Sequence, residues 1–330
     1  MNRETQPFRR RTMLKTIGAS VVASGALAGG AVGSDHCDHT VEDGESIQAA
    51  INEAEDGDVI CIESGTYEES LNITQADGLT LEGAGPGEVV VDASGEKGYG
   101  VDGVFSSDEW GSDVTLRGFT LKGPRQGTAS QNFGLKLSYI DGLTVENVHV
   151  TESRRTGIDV NPAENVSLRD VKSTDNDANG IAIRDAADVT VDNATTEGNA
   201  WGGFAFYALG EESVDNVVIS NSTFQNEPAG IYLQHTDHTN IRIRESSLVD
   251  NTVGLAVAES VDGGEVTANN NNIEGNADYG VVNQSDGILD ARRCWWGDRR
   301  GPNNPADERG GDGDTVSENV RFRPHRNRPV

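Results

Sequence analysis

The chain has 330 residues, 54 of them acidic and 26 basic, giving a formal net charge of −28. That balance excludes nucleic-acid binding through basic patches. The acids are spread along the chain and not gathered in a tail, which suits a halophilic protein whose surface is hydrated and screened in concentrated salt.

Residues 1–33 read as a targeting segment. RRTMLK (10–15) supplies a twin arginine, and Ile17 to Val32 is an apolar run rich in Gly and Ala, too short and too small-sided for a permanent span. Ala31 and Gly33 form a small-x-small site, so cleavage is expected before Ser34 and the product is expected to be secreted or held at the cell surface, with no transmembrane span. Such cleavage leaves Ser34-Asp35-His36 at the amino terminus, a motif whose amine, amides and imidazole bind Cu(II) or Ni(II) in a square plane. Residues 34–45 read as an arm. Three cysteines remain after export, so at least one is free; Cys37–Cys61 is the expected bridge.

From Ser46 the apolar spacing turns helical. Ile47, Ala50, Ile51 and Ala54 share one face, Ser46 is placed as N-cap and Gly57 follows the end, predicting a short capping helix. Residues 95–113 and 122–132 break the later rhythm, and each is expected to include a loop leaving the body.

Between Asn132 and Gly280 the chain repeats. Gly134-Leu135, Gly157-Ile158, Gly180-Ile181, Gly203-Phe204, Gly230-Ile231, Gly254-Leu255 and Gly280-Val281 follow one another at steps of 23, 23, 23, 27, 24 and 26 residues. Leu143, Val166, Val189, Val217, Ile241 and Val266 keep the same pace, as do Asn147, Asp170, Asn193, Asn221, Glu245 and Asn270. Each unit holds short alternating β-branched runs separated by Asn, Asp, Gly and Ser. About two dozen residues with three short strands fit one coil of a parallel β-helix, an all-β solenoid of about ten coils over 46–301. Asn176, Asn199, Asn226, Asn251 and Asn276 are expected to stack their amides at one corner. At the far end Trp295 and Trp296 cover the last coil, and 302–330 reads as a strap with a frayed basic tail.

SIQAAINEAEDGDVICIESGTYEESLNI (46–73), with LTLEGAG (79–85), resembles the entry coil of the right-handed β-helix superfamily that includes pectate lyases and pectin-type hydrolases. DARRCWWGDRRGPNNP (290–305) with GDTVSENV (313–320) resembles the closing motif of NosD-type and carbohydrate-binding β-helices, with Cys294 where that motif shows Asn, which implies a buried slot for its thiol. The resemblance implies a fold and little about activity. The paired-Asp and Gly-His-Gly motifs of the hydrolases and the Arg-x-Pro-x-x-Arg pattern of the lyases are absent from the sequence.

In a β-helix the outward side chains of one sheet form an axial groove. After each anchor glycine these are Lys136, Asp159, Ala182, Ala205, Tyr232 and Ala256, then Ser138, Asn161, Arg184, Tyr207 and Gln234, with Arg154, Arg155, Asp177 and Trp201 just before the strands. Trp201, Tyr207, Tyr232, Gln234 and His235 suit sugar rings, and Arg155, Arg184 and Lys136 are the candidates to bind a uronate and act on it. Lyases of the superfamily take a proton α to a carboxylate, so a neutralising cation is needed; Asp159, Asn161, Asp175 and Asp177 are the candidate oxygen donors to Ca²⁺. His235 and His238 fall in a turn. The expected function is binding of acidic polysaccharide by a monomer, with cleavage or modification, of the lyase or glycoside hydrolase type, left open. The rivals are a non-catalytic adhesion solenoid and a NosD-like helper of copper-enzyme assembly. The last is weakened because both methionines lie in 1–33.

Overall fold

Short β-branched segments cannot bury an apolar face alone, and here each pairs with its equivalent one coil away. The computed structural model describes residues 36–207, 213–235, 238–305 and 310–330. The targeting segment, and Ser34 and Asp35 of the expected copper motif, lie outside the described residues. His36–Val330 is one compact unit. Its strands form one twelve-stranded and two nine-stranded sheets, every pairing within them parallel, each sheet taking one strand from successive coils.

The register is the one the repeat predicts. Ile158, Ile181, Phe204, Ile231, Leu255 and Val281 are consecutive partners in one nine-stranded sheet, hereafter the groove sheet, and all are fully buried. Leu143, Val166, Val189, Val217, Ile241 and Val266 line up the same way in the twelve-stranded sheet. The third sheet stacks Val150 on Ser173, then Thr196, Phe224, Leu248 and Ile273, so two hydroxyls interrupt its aliphatic column. Ser173 satisfies its buried oxygen by donating to Gly180 O at 2.7 Å.

Two local rules set the coil. The series Asn147, Asp170, Asn193, Asn221, Glu245 and Asn270 occupies the corner after the twelve-stranded sheet, every residue left-handed with φ between 51° and 63°. That conformation costs most residues roughly 1–2 kcal/mol and suits Asn and Asp best. A fully buried aliphatic side chain returns roughly 1.5–3 kcal/mol, so one such burial offsets one such corner. The anchor glycines are required for another reason: a Cβ on Gly157, Gly180, Gly203, Gly230 or Gly254 would sit closer than 3.0 Å to the carbonyl oxygen of the next anchor glycine.

The ends are covered. The helix is Ile47–Glu53, with Ile47 and Ile51 buried and Ala50 and Ala54 packed against the core. Ser46 Oγ accepts from Ala49 N at 3.1 Å, and Glu69 supplements the cap by accepting from Ile47 N at 2.7 Å. At the other end Trp296 is fully buried and Trp295 donates to Glu274 at 2.8 Å. Cys37 and Cys61 are bridged, and Cys294 is a buried free thiol whose pKa burial pushes up to about 12.

Residues 95–113 include the expected loop, at 105–110, between two strands: Val101–Val104 of the groove sheet and Gly111–Arg117 of the longest. Three other expectations need correction. The arm contributes strand His39–Val41 and the strap contributes Val320–Arg321, so the paired coils exceed 46–301 at both ends. The tail is not frayed, because Arg326 N donates to Cys294 O and Val330 N to Asn272. Nor does Asn226 join the amide stack: it turns left-handed toward Glu197, and Glu227 takes its place.

Glu227 therefore sits inside a hydrogen-bonded ladder. Asn176 N donates to Asn199, Asn199 N and Nδ2 each donate to Glu227 at 2.9 Å, Glu227 N donates to Asn251, Asn251 N to Asn276, and Asn276 N to Asp314. Burial raises the Glu227 carboxyl to about 7, against the opposing pull of Asn199 and Thr196. A folded pKa above the unfolded value means stability present at low pH and lost as pH climbs through about 7. Denaturant unfolding of wild type and Glu227→Gln should show wild type losing roughly 3 kcal/mol relative to the variant between pH 4.5 and about 7. A pH-independent difference would place the titration elsewhere.

Candidate functional site

The outward row of the groove sheet runs Asn72, Asp102, Lys136, Asp159, Ala182, Ala205, Tyr232 and Ala256, each residue the register partner of the next. Tyr207 pairs with Gln234 two residues further along the strands. Strand alternation thus brings Lys136, Asp159, Tyr207 and Tyr232 to one face, as expected.

That face is not an open trough over the alanines. Tyr207 leans two coils back so that its hydroxyl donates to Asp159 Oδ2 at 3.4 Å, and Tyr232 leans two coils back to Asn179 Oδ1 at 2.6 Å. Ala182, Ala205 and Gly202 give these rings room; a Cβ on Gly202 would meet Tyr232 at 2.7 Å. Asp159 is consequently only 2% exposed although it points outward, with its other oxygen bound to Lys136 Nζ. One carboxylate therefore holds an ammonium and a phenol in fixed positions.

Cations and rings alternate around this pair. Lys136 Nζ lies 5.3 Å from the centre of the Phe133 ring, and the Arg155 guanidinium lies 5.4 Å from Phe133 and 5.1 Å from Trp201. Arg184 stacks 5.5 Å from Tyr207, and the Asn161 amide oxygen, oriented to satisfy its neighbours, accepts from Arg184 Nε at 2.7 Å. Trp201 is 52% exposed, so its outer face is free to stack on a sugar.

Open space lies toward the amino-terminal coils. A cleft of about 390 Å³ is lined by Gln48, Asn72, Lys97, Tyr99, Asp102 and Gln131. Asp102 is the register neighbour of Lys136, and burial pushes its carboxyl above the usual range. Tyr207 is also held up, first by burial and then by the Asp159 charge, so it remains a neutral phenol. Burial raises Tyr232 to about 12. A wider cleft of about 650 Å³ between the other two sheets includes Glu82, Arg117, Glu146 and Asp170, but Arg117 is already paired with Glu82 and Asp170 accepts from Asn193.

Residues 133–294 match the family model described as a right handed beta helix region. The chain is a right-handed parallel β-helix. No curated protein is a significant match to it in sequence. Among solved structures, the A-module of mannuronan C-5 epimerase AlgE6 from Azotobacter vinelandii superposes with TM-score 0.55 at 15% identity, covering 87% of this chain and 100% of that one. The AlgE4 A-module from the same organism gives 0.52 at 18%, over 88% and 99%. The tailspike gp49 of Acinetobacter baumannii bacteriophage Fri1, a capsular polysaccharide depolymerase, gives 0.59 at 12%, over 89% and 62%. At such identities the likeness is one of fold.

Within the β-helix the expected calcium donors do not converge. Asp159 is taken by Lys136 and Tyr207, Asn161 faces Arg184, and Asp177 pairs with Arg125 at 3.1 Å. Asp175 sits left-handed at the corner after the third sheet. Among the described residues, Asp159, Asp175 and Asp177 form no group of three with donor atoms close enough to share an ion. His235 is exposed at the turn beyond Gln234, whereas His238 is fully buried, accepting from Val214 N. Neither reaches the row of Lys136 and Asp159.

Asp102, Tyr99 and the cleft are not among the sequence candidates because the irregular stretch 95–113 interrupts the period there, and Phe133 lies just before the first anchor glycine. Their signal was present: Val101 and Gly103 alternate around Asp102 as Leu135 and Leu137 do around Lys136. The buried ion pair is directly testable. Asp159→Ala leaves the Lys136 ammonium without its counter-charge and should cost about 3–5 kcal/mol in denaturant unfolding. Adding Lys136→Met should recover most of that loss; a double variant as unstable as the single would show that the pair contributes nothing.

Proposed function

We propose that this β-helix binds acidic polysaccharide along the groove sheet, from the cleft at Tyr99 and Asp102 toward Trp201, and carries out proton transfer beside a uronate carboxylate. What carries the reading is Asp159, buried and shared between Lys136 and Tyr207, with Asp102 beside them. Removing the proton α to a carboxylate needs a base, a cation against the developing charge, and an acid for the leaving oxygen or the opposite ring face. Asp102, its carboxyl raised by burial, is assigned as base. Lys136 and Arg184 supply positive charge, and Tyr207, kept protonated, is the acid. Environments that push two pKa values apart sort acid from base in this way. The solved neighbours named above include proteins that act on mannuronan and on capsular polysaccharide, in keeping with this class of substrate. Arg155 and Trp201 would hold a neighbouring sugar by charge and stacking. The assembled cations make calcium unnecessary for the neutralising role.

Uronate polymers incubated with the protein in heavy water separate the outcomes. Elimination gives an unsaturated, ultraviolet-absorbing product; epimerisation gives deuterium at the abstracted position. Asp102→Asn should lower turnover by about 10²–10⁴-fold while leaving binding intact. The rate should rise with pH through a value above the ordinary carboxylate range, because the base must be ionised. Binding without product or exchange would favour the non-catalytic adhesion reading, and absence of binding to any acidic polymer would overturn both.

A further inference from the structure

A second cluster of reactive side chains lies on the twelve-stranded sheet, away from the groove. Cys61 and Glu82 are register partners on adjacent strands, so their side chains stand in one outward row, with Thr40 before them and Arg117 after. Cys37, just before the first strand, is bridged to Cys61. His36 Nε2 lies 3.9 Å from each of the two sulfurs and 3.1 Å from Glu82 Oε2. The imidazole and both sulfurs lie within 4.8 Å of one another, the one such group of three among the described residues.

We propose that this clamp is a redox-gated zinc site: when the bridge is reduced, His36, Cys37, Cys61 and Glu82 bind one Zn²⁺. Structural zinc takes four Cys, His or carboxylate donors at roughly 2.0–2.3 Å, which sets tetrahedron edges of roughly 3.3–3.8 Å. The nitrogen already stands near that distance from both sulfurs. Only the sulfurs must part, and Cys37 can move because it precedes the paired strand, whereas Cys61 and Glu82 are held in the sheet. Two thiolates, one carboxylate and a neutral imidazole leave the loaded site with one net negative charge. Arg117, already on Glu82, lies beside it to balance that charge. A carboxylate has a second oxygen, so Glu82 can keep Arg117 and still ligate.

The chemistry balances with a dithiol as reductant. It gives two electrons and two protons to the Cys37–Cys61 bond and becomes a disulfide itself; the two thiols formed then release two protons to solvent as the metal binds. In the reverse direction a disulfide oxidant accepts the two electrons from the thiolates, takes two protons from solvent to become a dithiol, and the metal leaves as the Cys37–Cys61 bridge reforms. Either way the first strand stays fastened to the second, so the open end of the coil is tied in both redox states. Cys294 takes no part: it is buried and its thiol is held up to about 12.

The full chain, reduced with a phosphine that does not compete for metal, is titrated anaerobically with Co²⁺ as a spectroscopic stand-in. Reduced protein should show tetrahedral visible bands and thiolate-to-cobalt charge transfer saturating at one equivalent, and Zn²⁺ should bleach them. The oxidised protein should show neither. His36→Ala and Glu82→Gln should each weaken binding by about tenfold or more. Zinc should also restore the thermal midpoint that reduction lowers, a readout available on wild type should a variant fail to fold. Absence of the tetrahedral spectrum in reduced wild type would overturn the site. A spectrum whose affinity ignores both His36→Ala and Glu82→Gln would reduce it to an ordinary dithiol and overturn it equally.

Discussion

The close approach of one coil to the next governs everything else in this molecule. Parallel strands stack at about 4.8 Å, and at the entry to the groove sheet the backbones come so near that the next anchor carbonyl fills the space of a Cβ. Glycine there fixes where each strand starts. Once the starts agree, alternation decides which side chains face in and which face out, and the outward row from Asp102 to Tyr232 follows without further instruction. A slip of one residue at any coil would turn its core chain to solvent and its groove residue to the core. The aliphatic columns and the functional face are thus two consequences of one alignment.

A stack of this kind must also satisfy polar groups at its corners, where strand pairing lapses. The amide ladder does so by letting one side-chain oxygen accept from the backbone and amide of the coil before, as Asn199 accepts from Asn176. Glu227 breaks the series chemically while keeping it geometrically, since its two oxygens divide the same pair of donors on Asn199. An acid in place of an amide puts a titrating group in the middle of the column. At the last coil Asp314 repeats the device, closing the ladder by accepting from Asn276 N and Nδ2. The strap is therefore bound through the same corner that holds the coils together.

Much of this was legible before any coordinates. The anchor glycines gave the period, the period gave the register, and the register named Lys136, Asp159, Tyr207 and Tyr232 as neighbours. The capping helix and the Cys37–Cys61 bridge were legible too, from apolar spacing and from the few cysteines available. What stayed hidden was where long side chains go. Tyr207 and Tyr232 each lie back across two coils and cover the row of alanines. Strand alternation fixes only the direction of Cβ; the reach of a tyrosine depends on small residues several coils away, here Gly202, Ala182 and Ala205. The irregular stretch 95–113 hid Asp102 for a different reason: a loop interrupts the period there, and a repeat search stops where the period does. The candidate calcium donors lie apart because cations of neighbouring coils, Lys136 and Arg125, already engage Asp159 and Asp177, a pairing that spacing along one strand does not reveal.

The overall charge of −28 and a groove proposed for an anionic polymer pull in opposite directions, and the distances involved decide between them. Repulsion from the bulk of the acidic surface acts over a Debye length, about 10 Å at 0.1 M salt but about 3 Å at 1 M. The attraction on the groove face acts at contact. Arg155 and Arg184 are packed against rings, and Lys136 is buried beside Asp159, so water and ions screen them far less than they screen surface carboxylates. Concentrated salt would then remove the long-range term and spare the short-range one. An acidic protein can accept an acidic chain under those conditions because the cations of the groove face, Lys136 buried and Arg155 and Arg184 half-buried, are packed against aromatic rings where the ligand lies.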